Sequence, residues 1–148
     1  MPKLIGKTNK KYIVSEFIYG ETLDHIEKKN LEYEEKIKII SQMRTVIEFI
    51  HCNYFIYRDL KPNNIMLDNN KNIVLIDLDR MIHYDSNFEN EFHTNTFGSP
   101  YRSPELNTGN FSFECDIFSF GQMIYYLITE KSPIDFNTCK ITDFGNHS

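Results

Sequence analysis

The chain has 148 residues, of which 41% are hydrophobic and 25% charged, and its formal net charge is −5. That length suits one domain, and the composition can bury a core. The acidic balance argues against a general nucleic-acid or anionic-membrane surface, and no apolar run approaches the roughly 18–20 residues of a membrane span.

The N-terminal stretch has lysines but no sustained apolar segment, so it is not a signal peptide, and a cytoplasmic location is expected. Cys52, Cys115 and Cys139 are far apart and form no CxxC pair, which points to reduced thiols and not to zinc or a disulfide framework. KLIGK (3–7) and KYIVS (11–15) flank a polar turn and predict a β-hairpin. Residues 16–21, EFIYGE, form a connector, and residues 22–29 predict a short amphipathic helix with Leu23 and Ile26 inward. A long helix is expected over about residues 31–52, with Ile39, Met43, Val46 and Ile50 as its stripe and Ile37, Ile40 and Ile47 widening it. Glu32 with Lys36, and Glu34 with Lys38, stand in the favoured i,i+4 order on its solvated side.

Residues 65–67 and 73–76 predict two strands around the turn signal Asp68-Asn69-Asn70-Lys71-Asn72. Residues 80–110 lack periodicity and read as a long loop, of the kind that usually carries function. CDIFSFGQMIYYLI (115–128) is apolar nearly all round, the mark of a helix meant to be surrounded by protein. The tail after it shows no clear element.

The chemistry concentrates in YRDLKPNNIMLDNNKNIVLIDLD (57–79). Asp59 and Asn64 lie five apart across a proline-bearing loop, and Asp77 follows Asn64 by 13 positions, at the far end of the second strand. A short hairpin brings its two ends together, so Asn64 and Asp77 converge at one mouth beside Asp59 and Lys61. One amide and one carboxylate suit hard Mg²⁺, whose remaining shell comes from phosphates and water. A separate carboxylate can accept a hydroxyl proton, and a lysine can hold developing phosphoryl charge. The DLD triplet alone is more often an ordinary strand-end turn, and DxD also occurs in glycosyltransferases and in phosphatases with an aspartate nucleophile.

The whole string resembles the catalytic core of eukaryotic-type protein kinases. The resemblance implies an α+β, protein-kinase-like fold with a mostly helical C-lobe, small β-hairpins and an N-lobe largely missing. It makes Asp59 the catalytic base, Lys61 the catalytic-loop lysine of the Ser/Thr-specific branch, Asn64 and Asp77 the Mg²⁺ ligands, and Arg58 the arginine that grips an activation-loop phosphate. SEFIYGETL resembles the hinge segment, implying that backbone groups of Glu16 and Ile18 bind adenine and that Met66 forms part of its apolar floor. GSPYRSPE (98–105) resembles the substrate-docking loop. CDIFSFGQMIYYLIT resembles the central buried helix, with Asp116 tying back to the catalytic-loop backbone. The cofactors implied are ATP and Mg²⁺. The implied partners are a protein substrate and a partner chain completing the lobe, with no nucleic acid and no membrane.

By this reading residues 1–15 are the last N-lobe strands, 16–21 the hinge, 22–133 a partial C-lobe and 134–148 a tail. Tyr57 stands where the family has His, and its ring is expected mainly to pack. Asp79 stands where the family has Gly, and is expected to limit backbone freedom and add negative charge near the metals. About 15 residues precede the hinge, too few for a glycine-rich loop, a phosphate-gripping lysine and its partner glutamate. The function implied is transfer of the ATP γ-phosphoryl group to Ser/Thr hydroxyls, with a weak or inactive isolated chain. The alternatives are a non-catalytic kinase-derived binding fragment and an incomplete gene product. Ser86, Thr94, Thr96 and Ser99 are loop hydroxyls that could carry regulatory phosphate, but ordinary polar loop residues are the commoner reading of them, and the resemblance implies that Ser99 supports the docking loop.

Overall fold

The computed structural model describes residues 2–7, 13–27, 30–85, 99–109 and 111–133. The first pair of strands, β1 (Leu4–Lys7) and β2 (Ile13–Ser15), is antiparallel, with a register irregularity between Leu4 and Gly6. The expected turn of that hairpin lies outside the described residues. An extended segment then leads into β3 (Gly20–Thr22), where the sequence reading had only a connector. The short helix expected over residues 22–29 is not formed by its described residues, which make turns and a bend as far as Glu27. Leu23 is nonetheless fully buried, and its N–H donates to Ile65 O at 2.8 Å. Pairing with the next hairpin therefore outweighs the local helical pattern.

Helix α1 (Tyr33–Cys52) is 20 residues long. It opens on a capping box: Glu35 Oε2 accepts the Glu32 N–H at 2.9 Å while the Glu32 side chain accepts the amide of residue 35. Its buried stripe is Lys36, Ile39, Met43, Ile47 and Ile50, at helical spacing, and Val46 lies only half-buried beside it. The expected Glu32–Lys36 pair is replaced: Lys36 Nζ reaches Glu130 Oε1 at 2.7 Å, and Lys38 Nζ donates to Asn70 O. Arg44 and Glu48 make an i,i+4 ion pair. The helix ends where the Asn53 side chain caps Phe49 O and Tyr54 turns left-handed.

Two short strands, β4 (Phe55–Ile56) and β7 (Ile82–His83), pair with each other. Between them come a 3-10 turn (Pro62–Asn64), β5 (Ile65–Asp68) and β6 (Ile73–Leu75). The sheet order is β3-β5-β6, all antiparallel. The β5–β6 turn is held by one side chain. Asp68 Oδ1 accepts the N–H of Asn70 and of Asn72, both at 2.8 Å, and Lys71 takes φ 57.

Helix α2 (Phe113–Thr129) follows a 3-10 turn (Pro104–Thr108) and packs on α1. The core joins Ile39, Met43 and Ile50 of α1, Ile65, Leu67 and Leu75 of the sheet, and Met123, Tyr126 and Leu127 of α2. It also takes in Tyr57 and Leu60, so the segment between β4 and β5 is anchored by apolar side chains at both ends. One face of α2 stays open: Ile117, Tyr125 and Ile128 are exposed. Among the described residues no helix is long and apolar enough to cross a membrane.

Candidate active site

The loop from Tyr57 to Asn64 runs on a fixed backbone. Asp116, a carboxylate only 1% exposed in the first turn of α2, accepts the Tyr57 N–H on Oδ2 and the Arg58 N–H on Oδ1, each at 2.8 Å. His51 Nε2 meets the same Oδ2 at 2.9 Å. Arg58 needs that grip, because its φ is 67, a region that costs a non-glycine residue on the order of 1–3 kcal/mol.

Within the loop, Asp59 Oδ2 accepts hydrogen bonds from Lys61 Nζ and Asn64 Nδ2, both at 2.9 Å, and Arg80 Nε stands 3.7 Å away. Asn64 Nδ2 also donates to Asp59 O. These two bonds commit the amide nitrogen to Asp59 and leave Oδ1 as the acceptor end of a buried side chain. Asn64 O accepts the Ile76 N–H at 2.9 Å, which ties the end of β6 to the loop. Asp77 is the next residue, held at φ 59. Asp59, Lys61 and Asn64 are thus in direct contact, and Asp77 follows the bond that joins the two ends of the hairpin.

The carboxyl of Asp77 is pushed above its ordinary range, first by a hydrogen bond to the Asp79 carboxyl, then by burial, then by the charges of Asp79 and Asp59. The added negative charge expected from Asp79 is therefore felt where Asp77 stands. The expected backbone cost is not: the left-handed residue is Asp77, and Asp79 is not among those with positive φ. Leu78 packs against the core. Tyr57 does more than pack. Its ring is 1% exposed and its hydroxyl donates to Ile76 O at 2.6 Å, gripping the peptide just before Asp77. Burial, and then the charges of Asp59 and Asp77, raise its phenol far above the usual range.

The oxygen donors at this mouth, one amide and neighbouring carboxylates, are hard ligands and fit Mg²⁺ better than a soft metal. Glu16 and Ile18 lie in the extended segment between β2 and β3. The Glu16 N–H is taken by Lys3 O at 2.8 Å, so what Glu16 can offer a ligand is its carbonyl. Met66, half-buried in the central strand β5, pairs with Thr22 and Val74. A larger concavity of about 480 Å³ near Gly20, His25 and Asp68 shares no lining residue with Asp59, Asn64 or Asp77.

A protein kinase domain family model matches residues 2–147. The chain belongs to the protein kinase family. It is 33% identical over 139 residues to an SNF1-related protein kinase catalytic subunit alpha, KIN12, of Arabidopsis thaliana, covering 90% of this chain and 27% of that protein. It is 34% identical to the SNF1-like protein kinase ssp2 of Schizosaccharomyces pombe, over 83% of this chain and 22% of that one. It is 29% identical to serine/threonine-protein kinase D of Synechocystis, over 99% of this chain and 31% of that one. This kinase chain therefore spans roughly a quarter of the length of these relatives.

Within the kinase fold some site residues carried no signal in the spacing. Arg80 and the hydroxyl of Tyr57 reach the site only because β6 returns beside the loop. His51 comes to Asp116 from 65 positions away. Glu105 of the Ser-Pro-Glu segment accepts a hydrogen bond from the Ser103 hydroxyl, which lowers its carboxyl below the usual value. Ser86, Thr94 and Thr96 lie outside the described residues.

Proposed function

We propose that this chain carries the catalytic-loop half of a site that transfers the ATP γ-phosphoryl group to Ser or Thr hydroxyls of proteins. The observation that carries the reading is the contact of Asp59 with Lys61 and Asn64, one hairpin-closing bond away from Asp77. Asn64 Oδ1 and Asp77 would hold Mg²⁺, which when bound supplies positive charge to the phosphate oxygens. Asp59 accepts the proton of the acceptor hydroxyl. Lys61, which donates to Asp59 in this structure, would supply positive charge to the transferring phosphoryl group. Glu16 O, the backbone of Ile18 and the side chain of Met66 would seat the base. The name of the Synechocystis relative, a serine/threonine-protein kinase, supports the acceptor class.

Transfer by this chain alone is slow in this reading. The described residues before Glu16 form a single hairpin, and removing even one preorganised charge-stabilising donor costs about 10²- to 10³-fold in rate. The test is transfer of labelled phosphate from Mg-ATP to a Ser/Thr peptide mixture. A slow transfer abolished by Asp59→Asn is expected; transfer that persists in Asp59→Asn overturns the assignment.

A second reading has one observation behind it. Ile117, Tyr125 and Ile128 leave an apolar face on α2 that suits a binding fragment. Thermal shift with Mg-ATP separates the two, since a fragment without nucleotide binding shows no shift that Asp77→Ala removes.

A further inference from the structure

Asp77 and Asp79 flank Leu78, which packs against the core, and both are exposed. With Leu78 turned inward, the two carboxylates are left at the surface, and that of Asp79 is hydrogen-bonded to that of Asp77. Two neighbouring cations serve Asp59 instead: Lys61 Nζ lies 2.9 Å from its carboxylate and Arg80 Nε 3.7 Å. At Asp77 the attraction of Lys61 is weaker than the repulsion of Asp79 and of Asp59. Two carboxylates so close repel once both are ionised, and a divalent cation shared between them removes that repulsion.

Asn64 supplies a third donor. Its side chain is 4% exposed, and its Nδ2 is committed to the backbone and side-chain oxygens of Asp59. Its Oδ1 meets no donor among the described residues, yet it is not sealed from solvent: the sealed, unpartnered side-chain atom among them is Asp24 Oδ1. The bond from the Ile76 N–H to Asn64 O, at 2.9 Å, keeps this amide at the same end of the hairpin as Asp77. Among the described residues no three His, Cys, Asp or Glu side chains are grouped to hold a metal. The donor set here is therefore two carboxylates and one amide, with water or phosphate completing a cation's shell. The glycine of the family pattern offers no side-chain donor at position 79, so Asp79 is an addition to the two ligands that pattern supplies.

We propose that Asp79 is a further cation ligand, and that Asp77, Asp79 and Asn64 Oδ1 together bind a hard divalent cation before any nucleotide is present. A site offering one carboxylate and one amide leaves Mg²⁺ dependent on phosphate oxygens to complete its octahedron. A second carboxylate on the protein adds charge and a donor that need no phosphate. It also favours Ca²⁺, which accepts several carboxylates in flexible geometry, over Mg²⁺, which holds its waters. The proposal deepens the phosphoryl-transfer reading and takes the roles of Asn64 and Asp77 from it; the role of Asp79 does not depend on transfer.

The test is titration of the full chain with Mn²⁺, after removal of metal by EDTA and dialysis and with no ATP present. Mn²⁺ shares the preference for carboxylate and carbonyl oxygen, and its binding is followed by loss of the free-ion electron paramagnetic resonance signal. Saturable binding is expected, weakened about tenfold or more in Asp79→Ala and partly kept in Asp79→Glu. Ca²⁺ should displace Mn²⁺ from the wild type at a lower concentration than Mg²⁺ does, and should lose that advantage in Asp79→Ala. Asp77→Asn suits the left-handed backbone and should also weaken binding. Equal affinity in wild type and Asp79→Ala, both with normal melting curves, overturns the proposal, as does unchanged binding in Asp77→Asn, which would place the cation elsewhere. Thermal shift with Mg-ATP against Mg²⁺ alone is read separately. Mn²⁺ binding that depends on Asp79, with no added shift from ATP, keeps the cation site and removes the nucleotide reading. An ATP shift together with Mn²⁺ affinity indifferent to Asp79 does the reverse.

Discussion

Asp116 and Tyr57 are 59 positions apart and meet at 2.8 Å, the Tyr57 N–H donating to Asp116 Oδ2 while Arg58 N–H fills Oδ1. One buried carboxylate thereby fixes two successive amides of the loop that carries Asp59. It also clamps the left-handed Arg58.

Asp116→Asn should lower stability by about 2–3 kcal/mol, because the amide offers one acceptor where two backbone donors and His51 converge. Asp116→Ala should cost about 3–5 kcal/mol, the range for breaking a buried charged network. Urea unfolding followed by circular dichroism measures both. A loss under 1 kcal/mol for the alanine variant would show that the loop holds its shape without Asp116.

The Asp68 turn gives a pH dependence with a defined sign. Its carboxyl is held below the ordinary aspartate value, chiefly by the Asn72 N–H, then by the Asn72 amide side chain and the Asn70 N–H, with Lys38 nearby. A depressed folded-state value means that the unfolded chain takes up the proton first. The stabilisation is therefore present above about pH 4 and is lost as pH falls through the folded value. Asp68→Ala should unfold at lower urea than wild type at pH 7, and the two midpoints should converge toward pH 2. A gap that stays constant across that range would rule out the carboxylate as its source.

That turn was legible in the sequence, and so were the two helices, the β5–β6 hairpin and the closeness of that hairpin's two ends, where the Ile76 N–H donates to Asn64 O. Each depends on residues close in the chain: an aspartate among asparagines, a 3.6-residue stripe, a hairpin of fixed span. The strand at Gly20 was not legible, because three residues pair only when β5 stands beside them. The helix expected after it lost to the same sheet. Arg80 carried no signal, since nothing local sets its distance from Asp59. Val46 was given the place in the stripe that Ile47 holds, since a one-position rotation of a helix leaves the apolar pattern almost unchanged.

Glycine replacements separate packing from propensity. A Cβ on Gly20 would collide with the backbone carbonyl of Leu67, the residue before Asp68, its partner across the β3–β5 ladder. Gly121, inside α2, has open space where its Cβ would stand. Gly20→Ala should destabilise by about 1–3 kcal/mol as the ladder shifts. Gly121→Ala should stabilise by roughly 0.5–1 kcal/mol through helix propensity. Thermal melts of the two variants should move in opposite directions, and a shared direction would contradict the assignment of one of them.

Lys36 and Glu130 give a stability order. Lys36 is 9% exposed on the core side of α1, and its partner Glu130 sits at φ 61 just past α2. Glu130→Ala removes the partner and keeps a left-handed Cβ. Glu130→Gly removes the partner and relieves that backbone, so it should be more stable than Glu130→Ala by about 1 kcal/mol. Adding Lys36→Met to Glu130→Gly removes the stranded cation and should raise stability further. Urea midpoints should rise from Glu130→Ala to Glu130→Gly to the double variant. A double variant below Glu130→Gly would show that Lys36 is held by something other than Glu130.

Tyr57 links stability to the Asp77 end of the proposed site. Its hydroxyl donates to Ile76 O, whose peptide leads into the left-handed Asp77. Tyr57→Phe keeps the buried ring and leaves that carbonyl without the hydroxyl, a loss of about 1–3 kcal/mol if no water replaces it. If the hydroxyl only supports the fold, stability alone changes. If it also sets the direction of Asp77, Mg-ATP should protect Tyr57→Phe from thermal unfolding by less than it protects wild type, at equal distance below each melting point. The second outcome is expected, because Ile76 is bound on both sides, its N–H by Asn64 and its carbonyl by Tyr57, and removing one hold frees the peptide to rotate. Equal nucleotide protection in the two proteins would place the orientation of Asp77 on Asn64 alone.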